Sequence, residues 1–257
     1  MSTGVQTTVA RFVWHDHVSG DVEKAKSFYK SLLDWEIETW KPGEMDYPMI
    51  TVQGNMHGGF GPAPDGVPSH WLGHVAVDDA DAAGKRAEEA GGKIVAPPMD
   101  IPEVGRMAVI QDPQGATLSA FAAASDATPV SEGVFVWDEL MTSDVEDAKR
   151  FYGEVFDWTP HEFEGPADAP PYTLFRAGDA DRAGCMAITP EAKEMGAAPH
   201  WIPYIGVEDV DATAARAAEL GATIYLEPRD IPTIGRIAVF GDPTGATVGL
   251  FRPAESS

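Results

Sequence analysis

FVWHDHVSGDVEKAKSFYKSLLDW, Phe12 to Trp35, returns as FVWDELMTSDVEDAKRFYGEVFDW at Phe135 to Trp158, with 12 of 24 positions identical. Unrelated segments agree at roughly one position in twenty to one in ten, so the chain carries an internal duplication. Each copy opens on β-branched and aromatic residues in a period of two, which predicts a strand. Asp21 and Asp144 then stand where an N-cap belongs, able to accept from exposed amides of a first helical turn. Val22, Ala25, Phe28, Tyr29, Leu32 and Leu33 follow at helical spacing, as do Val145, Ala148, Phe151, Tyr152, Val155 and Phe156. Each set makes one buried face.

Working outward, short strands are expected over 35–40, 49–52 and 57–60, followed by a Pro/Gly-rich loop. A second unit starts with a strand over 70–77 and a helix from about 79 to 90, closed by Gly91. Strands over 93–96, 106–111 and 117–122 complete it. Beyond a small, polar, aperiodic stretch the programme restarts, with a strand over 200–207 and a helix from about 210 to 220 closed by Gly221. DIPTIGRIAVFGDPTGATVGLF (Asp230 to Phe251) matches DIPEVGRMAVIQDPQGATLSAF (Asp100 to Phe121) at 13 of 22 positions. The offset between copies grows from 123 to 130, which puts seven extra residues between Trp158 and His200. The expected domains are therefore 8–122 and 134–253, with a linker at 123–133. The fold class is α+β: four βαβββ units pair into two curved mixed sheets. Each sheet forms a cup with helices outside and its inner face open for a ligand.

Composition narrows the function. A 257-residue chain that is 44% hydrophobic is globular, with room for two ordinary domains. Its start lacks the basic and apolar regions of a signal peptide, and no window approaches 18 apolar residues, so no membrane partner is expected. A single cysteine, Cys185, excludes an internal disulfide framework and fits a reducing compartment, so a cytoplasmic location is expected. With 41 acidic against 18 basic residues, the net charge of −23 repels polyanions and argues against nucleic-acid binding. The acids are scattered, as on a solvated surface that resists aggregation. Gly58 to Gly61 lacks the strand–turn–helix setting of a nucleotide loop.

Three motifs now stand in order, twice: D-V-E-[KD]-A-K-x-F-Y-x(4)-D-W, V-x-D-[VA]-D-A, and G-R-[MI]-A-V-x-x-D-P-x-G-A-T. Together they resemble the vicinal oxygen chelate superfamily of glyoxalases, extradiol dioxygenases and bleomycin- and fosfomycin-resistance proteins. The tandem form is most similar to actinobacterial two-domain glyoxalase-like proteins. The resemblance implies one divalent metal in the cup of those members that are enzymes, held by His, Glu or Gln. It places the first-strand ligand at Trp14 and Trp137, the second-unit ligand at Leu72 and Ile202, and the last-strand ligand at Ser119 and Gly249. The remaining position falls near 58–60 and 184–186. Trp, Leu, Ile and Gly offer a metal no lone pair and Ser is a poor ligand, so the metal site is not carried over.

Strand alternation puts the residue two along from each lost ligand on the same face. In the first domain these are Asp16 and His74; in the second, Glu139 and Tyr204. An acid at the first-strand position of both copies, on an apolar wall, is expected to have a raised pKa suited to proton transfer. His74 would be its partner as base or donor. The alternative is that both acids anchor backbone amides or pair with Arg106 and Arg236. Those arginines would either hold an anionic substrate or bond the preceding D-I-P turn, Asp100 and Asp230. Trp14, Trp137, Leu72, Ile202 and Ser119 would line the ligand. Asp16, His57 and His74 leave a divalent metal open in the first domain, and no other cofactor is called for. His15 and His17 face away from Asp16. The expected function is a metal-independent small-molecule binder or enzyme. A metal-dependent lyase, isomerase or dioxygenase is one alternative, and a resistance-type sequestering protein another. Two domains in one chain favour a monomer, with a homodimer left open.

Overall fold

A computed structural model describes residues 10–41, 46–124, 133–165 and 170–254. The opening strand β1 (Phe12–Ser19) leads into α1 (Val22–Leu32), whose first turn is held by Asp21 Oδ1 accepting from the Lys24 amide at 3.0 Å. Strands β2 (Glu36–Trp40), β3 (Tyr47–Val52) and β4 (Asn55–Pro62) complete the first unit. The second unit is β5 (His70–Ala76), α2 (Ala80–Glu89), β6 (Lys93–Ile101), β7 (Gly105–Gln111) and β8 (Thr117–Ala123). The other half repeats this with β9 (Phe135–Thr142), α3 (Val145–Phe156), β10 (Thr159–Glu162), β11 (Thr173–Ala177) and β12 (Ala180–Ala187). A short α4 (Pro190–Glu194) precedes β13 (His200–Gly206), α5 (Val210–Glu219), β14 (Thr223–Ile231), β15 (Gly235–Gly241) and β16 (Thr247–Pro253).

Helix α4 falls in a stretch read as loop. Thr189 caps it and Pro190, with its preset φ, opens it, so five residues suffice for a turn. Of the seven extra residues in the second copy, two precede Tyr172 and five fall in the segment that forms α4. The expected linker lies mostly at 125–132, outside the described residues; Ala123 still belongs to β8.

Each half forms one eight-stranded mixed sheet, ordered β2-β3-β4-β1-β5-β8-β7-β6 in the first and β10-β11-β12-β9-β13-β16-β15-β14 in the second. The two units of a half join along antiparallel β1 and β5, or β9 and β13. Helices α1, α2, α3 and α5 lie outside the cups but inside the molecule, whereas Ala192 of α4 packs against the apolar cluster of the second cup. Apolar residues of α2 pack with those of α3, and apolar residues of α1 with those of α5. The sheets meet back to back through this layer. Phe12 packs on Trp201 at 5.4 Å between ring centroids, and its counterpart Phe135 packs on Trp71 at 5.3 Å.

The joint between the halves is also polar. Tyr29 donates to Asp242 at 3.0 Å and receives the Trp71 indole at 3.1 Å; Tyr152 donates to Asp112 at 2.9 Å and receives the Trp201 indole at 3.0 Å. Each D-P-x-G turn therefore does two jobs. Its aspartate holds the amides of its own turn, at 2.7 to 3.2 Å, and binds a tyrosine of the other half. His15 and Asp138 occupy the same position of the two copies and meet at 2.8 Å, buried. His17 reaches Asp242 at 2.6 Å with neither side chain exposed. No helix among the described residues is long and apolar enough to cross a membrane.

Candidate functional site

The expected alternation holds on β1: His15 and His17 turn to the buried joint, and Asp16 turns into the cup. Asp16 and His74 each sit five residues before a helix cap, Asp21 and Asp79, so they are equivalent positions in the two units. Across the antiparallel β1–β5 pair, Trp14 lies opposite His74 and Asp16 opposite Leu72. Asp16 and His74 are thus diagonal neighbours, a spacing long side chains can bridge. His74 Nε2 lies 3.1 Å from Asp16 Oδ2. The other carboxylate oxygen accepts from the Trp14 indole at 3.0 Å and from the Tyr47 hydroxyl, which itself receives the same indole at 2.9 Å.

Burial pushes the Asp16 carboxyl up, but the bonds and charge of His74, with Tyr47 and Trp14, outweigh it and hold the group below its ordinary value. This corrects the expectation of a raised pKa: donors converge on this carboxylate. The side chain keeps 20% of its surface open to solvent, so a ligand can reach it. A carboxylate only accepts, so His74 Nε2 carries the proton of this bond; in the neutral ring Nδ1 is then the free base.

The second cup repeats the frame with different chemistry. Tyr204 donates to Glu139 at 3.1 Å, the Trp137 indole donates to Tyr172 at 2.9 Å, and the Tyr172 hydroxyl acts on the same carboxyl. Here burial wins, and Glu139 is raised above its ordinary value despite Tyr172, Tyr204 and the charge of Arg229. Phenols stabilise a buried carboxylate less than a histidine that can itself be charged.

Tyr47 and Tyr172 were missed in the sequence. Each hydroxyl lies where a side chain on the adjacent strand would begin, over Gly59 and Gly184. Those glycines are the register partners of Asp16 and Glu139. Any side chain there, a metal ligand included, would expel the tyrosine. The signal was a tyrosine beside proline where the third strand begins in both copies, in YP at 47–48 and PPY at 170–172.

The remaining positions differ in kind. Leu72 and Ile202 are buried on the cup walls. Ser119, the partner of His74 on β8, is fully buried, and its hydroxyl has no partner among the described residues. Gly249, the matching partner of Tyr204, leaves room for the phenol ring, which a Cβ would strike. His57 is buried and does not join Asp16 and His74: among the described residues no three His, Cys, Asp or Glu converge to hold a metal. Arg106 and Arg236 are not brought to either cup. Arg106 grips Asp81 of α2 at 2.5 and 3.0 Å and Asp100 at 2.8 Å; Arg236 grips Asp211 of α5 at 2.5 and 2.7 Å and Asp230 at 3.0 Å. They share a strand face with Ala108 and Ala238, which are buried against the helices. Burial pushes the Cys185 thiol up to about 12, so it is inert as a nucleophile.

The residues present do not fit the metal that the fold family uses. Trp, Leu, Ser and Gly stand at the ligand positions of the first cup, and a tyrosine fills the space over Gly59.

Comparison with known proteins agrees with this architecture. The chain is 38% identical over 251 residues to CFP32, a Mycobacterium tuberculosis protein named as a glyoxylase, covering 94% of each chain. It is 35% identical over 258 residues to the anthracycline biosynthesis protein DnrV of Streptomyces peucetius, covering 91% of this chain and 90% of that one. Among solved structures it superposes on a Mn(II)-bound glyoxalase of Novosphingobium aromaticivorans with a TM-score of 0.61 at 20% identity, over 95% of this chain and 81% of the other. A 2,2',3-trihydroxybiphenyl 1,2-dioxygenase of Sphingomonas wittichii gives 0.61 at 15% identity, over 95% and 89%. Residues 14–119 and 135–250 each match the family description, and the chain belongs to the glyoxalase/bleomycin resistance protein/dioxygenase superfamily.

Proposed function

We propose that the first cup is a metal-independent site for a small aromatic ligand bearing a hydroxyl or carbonyl group, with Asp16 and His74 as its acid–base pair. The observation that carries this reading is the 3.1 Å contact between them at the centre of the cup, where the family's metal ligands are replaced. Asp16 fixes the tautomer of His74 and stabilises the imidazolium that forms when the ring accepts a proton. A ligand hydroxyl can then give its proton to Nδ1, while a carbonyl oxygen can accept from the protonated ring. The buried Ser119 hydroxyl offers a further hydrogen bond. Trp14 supplies an aromatic wall whose indole edge is already tied to Asp16 and Tyr47, so the wall needs little ordering on binding. The anthracycline-biosynthesis names of two relatives support a fused aromatic ring bearing oxygens.

The reading is tested with 2-hydroxyanthraquinone, whose hydroxyl is clear of the ring carbonyls, and its parent anthraquinone, followed by quenching of tryptophan fluorescence. The hydroxylated ring should bind saturably and at least about tenfold more tightly, the worth of one charge-assisted hydrogen bond. Equal affinity for the two would mean that Asp16 and His74 do not read the ligand. Appearance of a new absorbance or mass during incubation would separate a catalyst from a binder.

A further inference from the structure

The two cups share the Trp–acid–Tyr frame but not the charge at their rim. On β14, Arg229 lies directly opposite Ile237 of β15, and directly opposed residues of an antiparallel pair point to the same face. Ile237 belongs to the apolar cluster of the second cup, with Met141, Ile202, Tyr204 and Val239. Arg229 therefore stands on the cup side of the sheet. It is close enough for its charge to act on both Glu139 and Tyr204. The guanidinium is exposed, and among the described residues no hydrogen bond or ion pair claims it. The neighbouring acid, Asp230, is committed to Arg236. In the first half the matching pair is Met99 and Met107, so a thioether stands where the second cup has its guanidinium.

We infer that the second cup is a separate binding site for an amphipathic carboxylate, with Arg229 holding the anion at the rim and the apolar wall taking the body of the ligand. A guanidinium presents two parallel N–H groups to a carboxylate, which gives direction as well as attraction. The Tyr204 and Tyr172 hydroxyls and the Glu139 carboxyl sit deeper on the same wall. Burial pushes the Glu139 carboxyl above its ordinary value. The first cup is built against such a ligand. The Asp16 carboxyl is held below its ordinary value by His74, Tyr47 and Trp14, and among the described residues no arginine contributes to it. The protein's net charge of −23 opposes anions at long range, but salt screens that field over about 8–10 Å. Contact with Arg229 is inside that distance. The inference rests on the second cup alone and does not need the reading of the first.

The test is calorimetric titration of the full chain with 1-naphthoate and, as the neutral isostere, 1-naphthamide. Naphthoate should bind at one site per chain and at least about tenfold more tightly than the amide, and the preference should shrink as salt is raised. Arg229→Met, which installs the residue of the first rim at an exposed position, should remove the preference while leaving hydroxyanthraquinone binding unchanged. No detectable naphthoate binding, equal affinity for acid and amide, or a preference that survives Arg229→Met would each overturn the inference. If hydroxyanthraquinone binding fails while naphthoate behaves as expected, the first-cup reading fails and this one stands.

Discussion

Asp242→Ala should lower the free energy of unfolding by about 3–5 kcal/mol, the cost of removing a buried carboxylate from the hydrogen-bond donors gathered around it. This carboxylate accepts from His17 at 2.6 Å, from Tyr29 at 3.0 Å, and from the amides of Thr244, Gly245 and Ala246. His17 and Tyr29 are fully buried and cannot turn to water once the carboxylate is gone. Reversible denaturation in urea measures the loss. A loss below about 1 kcal/mol, the level of an exposed pair, would show that this buried cluster contributes little to holding the halves together.

The same residue gives a signed pH prediction, because the chain contains its own control. Asp112 has the same turn amides and the same kind of tyrosine as Asp242, but Leu140 occupies the strand position that His17 has in the first copy. Burial raises Asp112. At Asp242 burial also pushes upward, but His17, with Thr244, outweighs it and the carboxyl is lowered. A lowered folded-state pKa means that Asp242 contributes its stability in full above about 4 and loses it as pH falls through the lower folded value. His17→Leu should reverse the sign. With the raised pKa seen at Asp112, the group is most favourable below about 4 and loses that contribution as pH rises through its folded value. Stability curves from pH 3 to 7 should therefore fall less steeply toward acid in His17→Leu than in the parent. Parallel curves would contradict the comparison.

In the first cup the largest effect is expected from Asp16→Asn, a weakening of hydroxyanthraquinone binding by about 10- to 100-fold, matching the 1.5–3 kcal/mol of a hydrogen bond to a charged group. The amide keeps an oxygen for Tyr47 and Trp14, so folding should be preserved; what it loses is the charge that faces His74. His74→Phe should cost a similar amount. The double variant should lose less than the sum, because the pair acts as one unit. Fully additive losses, or none in Asp16→Asn, would remove the pair from the site. Where the ligand is turned over, both variants should lower the rate by about 10²–10⁴-fold, the usual contribution of a positioned acid–base group.

Much of this was legible in the repeat. Counting back from Asp21 and Asp144 placed Trp14, Asp16, Trp137 and Glu139 in the cups and turned His15 and His17 away, because strand alternation is a local rule. Tyr47 and Tyr172 escaped because they come from another strand, and pairing of non-adjacent strands leaves no periodic trace. The partner of His17 lies 225 residues away and depends on how two sheets stack. One clue was available: position 15 of the first copy is His and its counterpart 138 is Asp, so a residue that meets its own copy across a pseudo-twofold axis carries complementary chemistry. Arg106 and Arg236 face the helices through the same alternation that identified Asp16, applied to a strand where it was not used. The raised pKa expected for both acids came from burial alone. It describes Glu139 and fails for Asp16, where a histidine sits within hydrogen-bond reach.

On the proposed function, side chains rather than a metal make the first cup a polar site. The most direct test is a calorimetric titration of the chelator-treated protein with Mn(II), Fe(II) and Zn(II) under anaerobic conditions, each followed by hydroxyanthraquinone. We expect no stoichiometric high-affinity metal binding, and a ligand affinity that is unchanged by metal but falls in Asp16→Asn. One tightly held metal per chain, lost in Asp16→Asn and required for the ligand to bind, would contradict this reading.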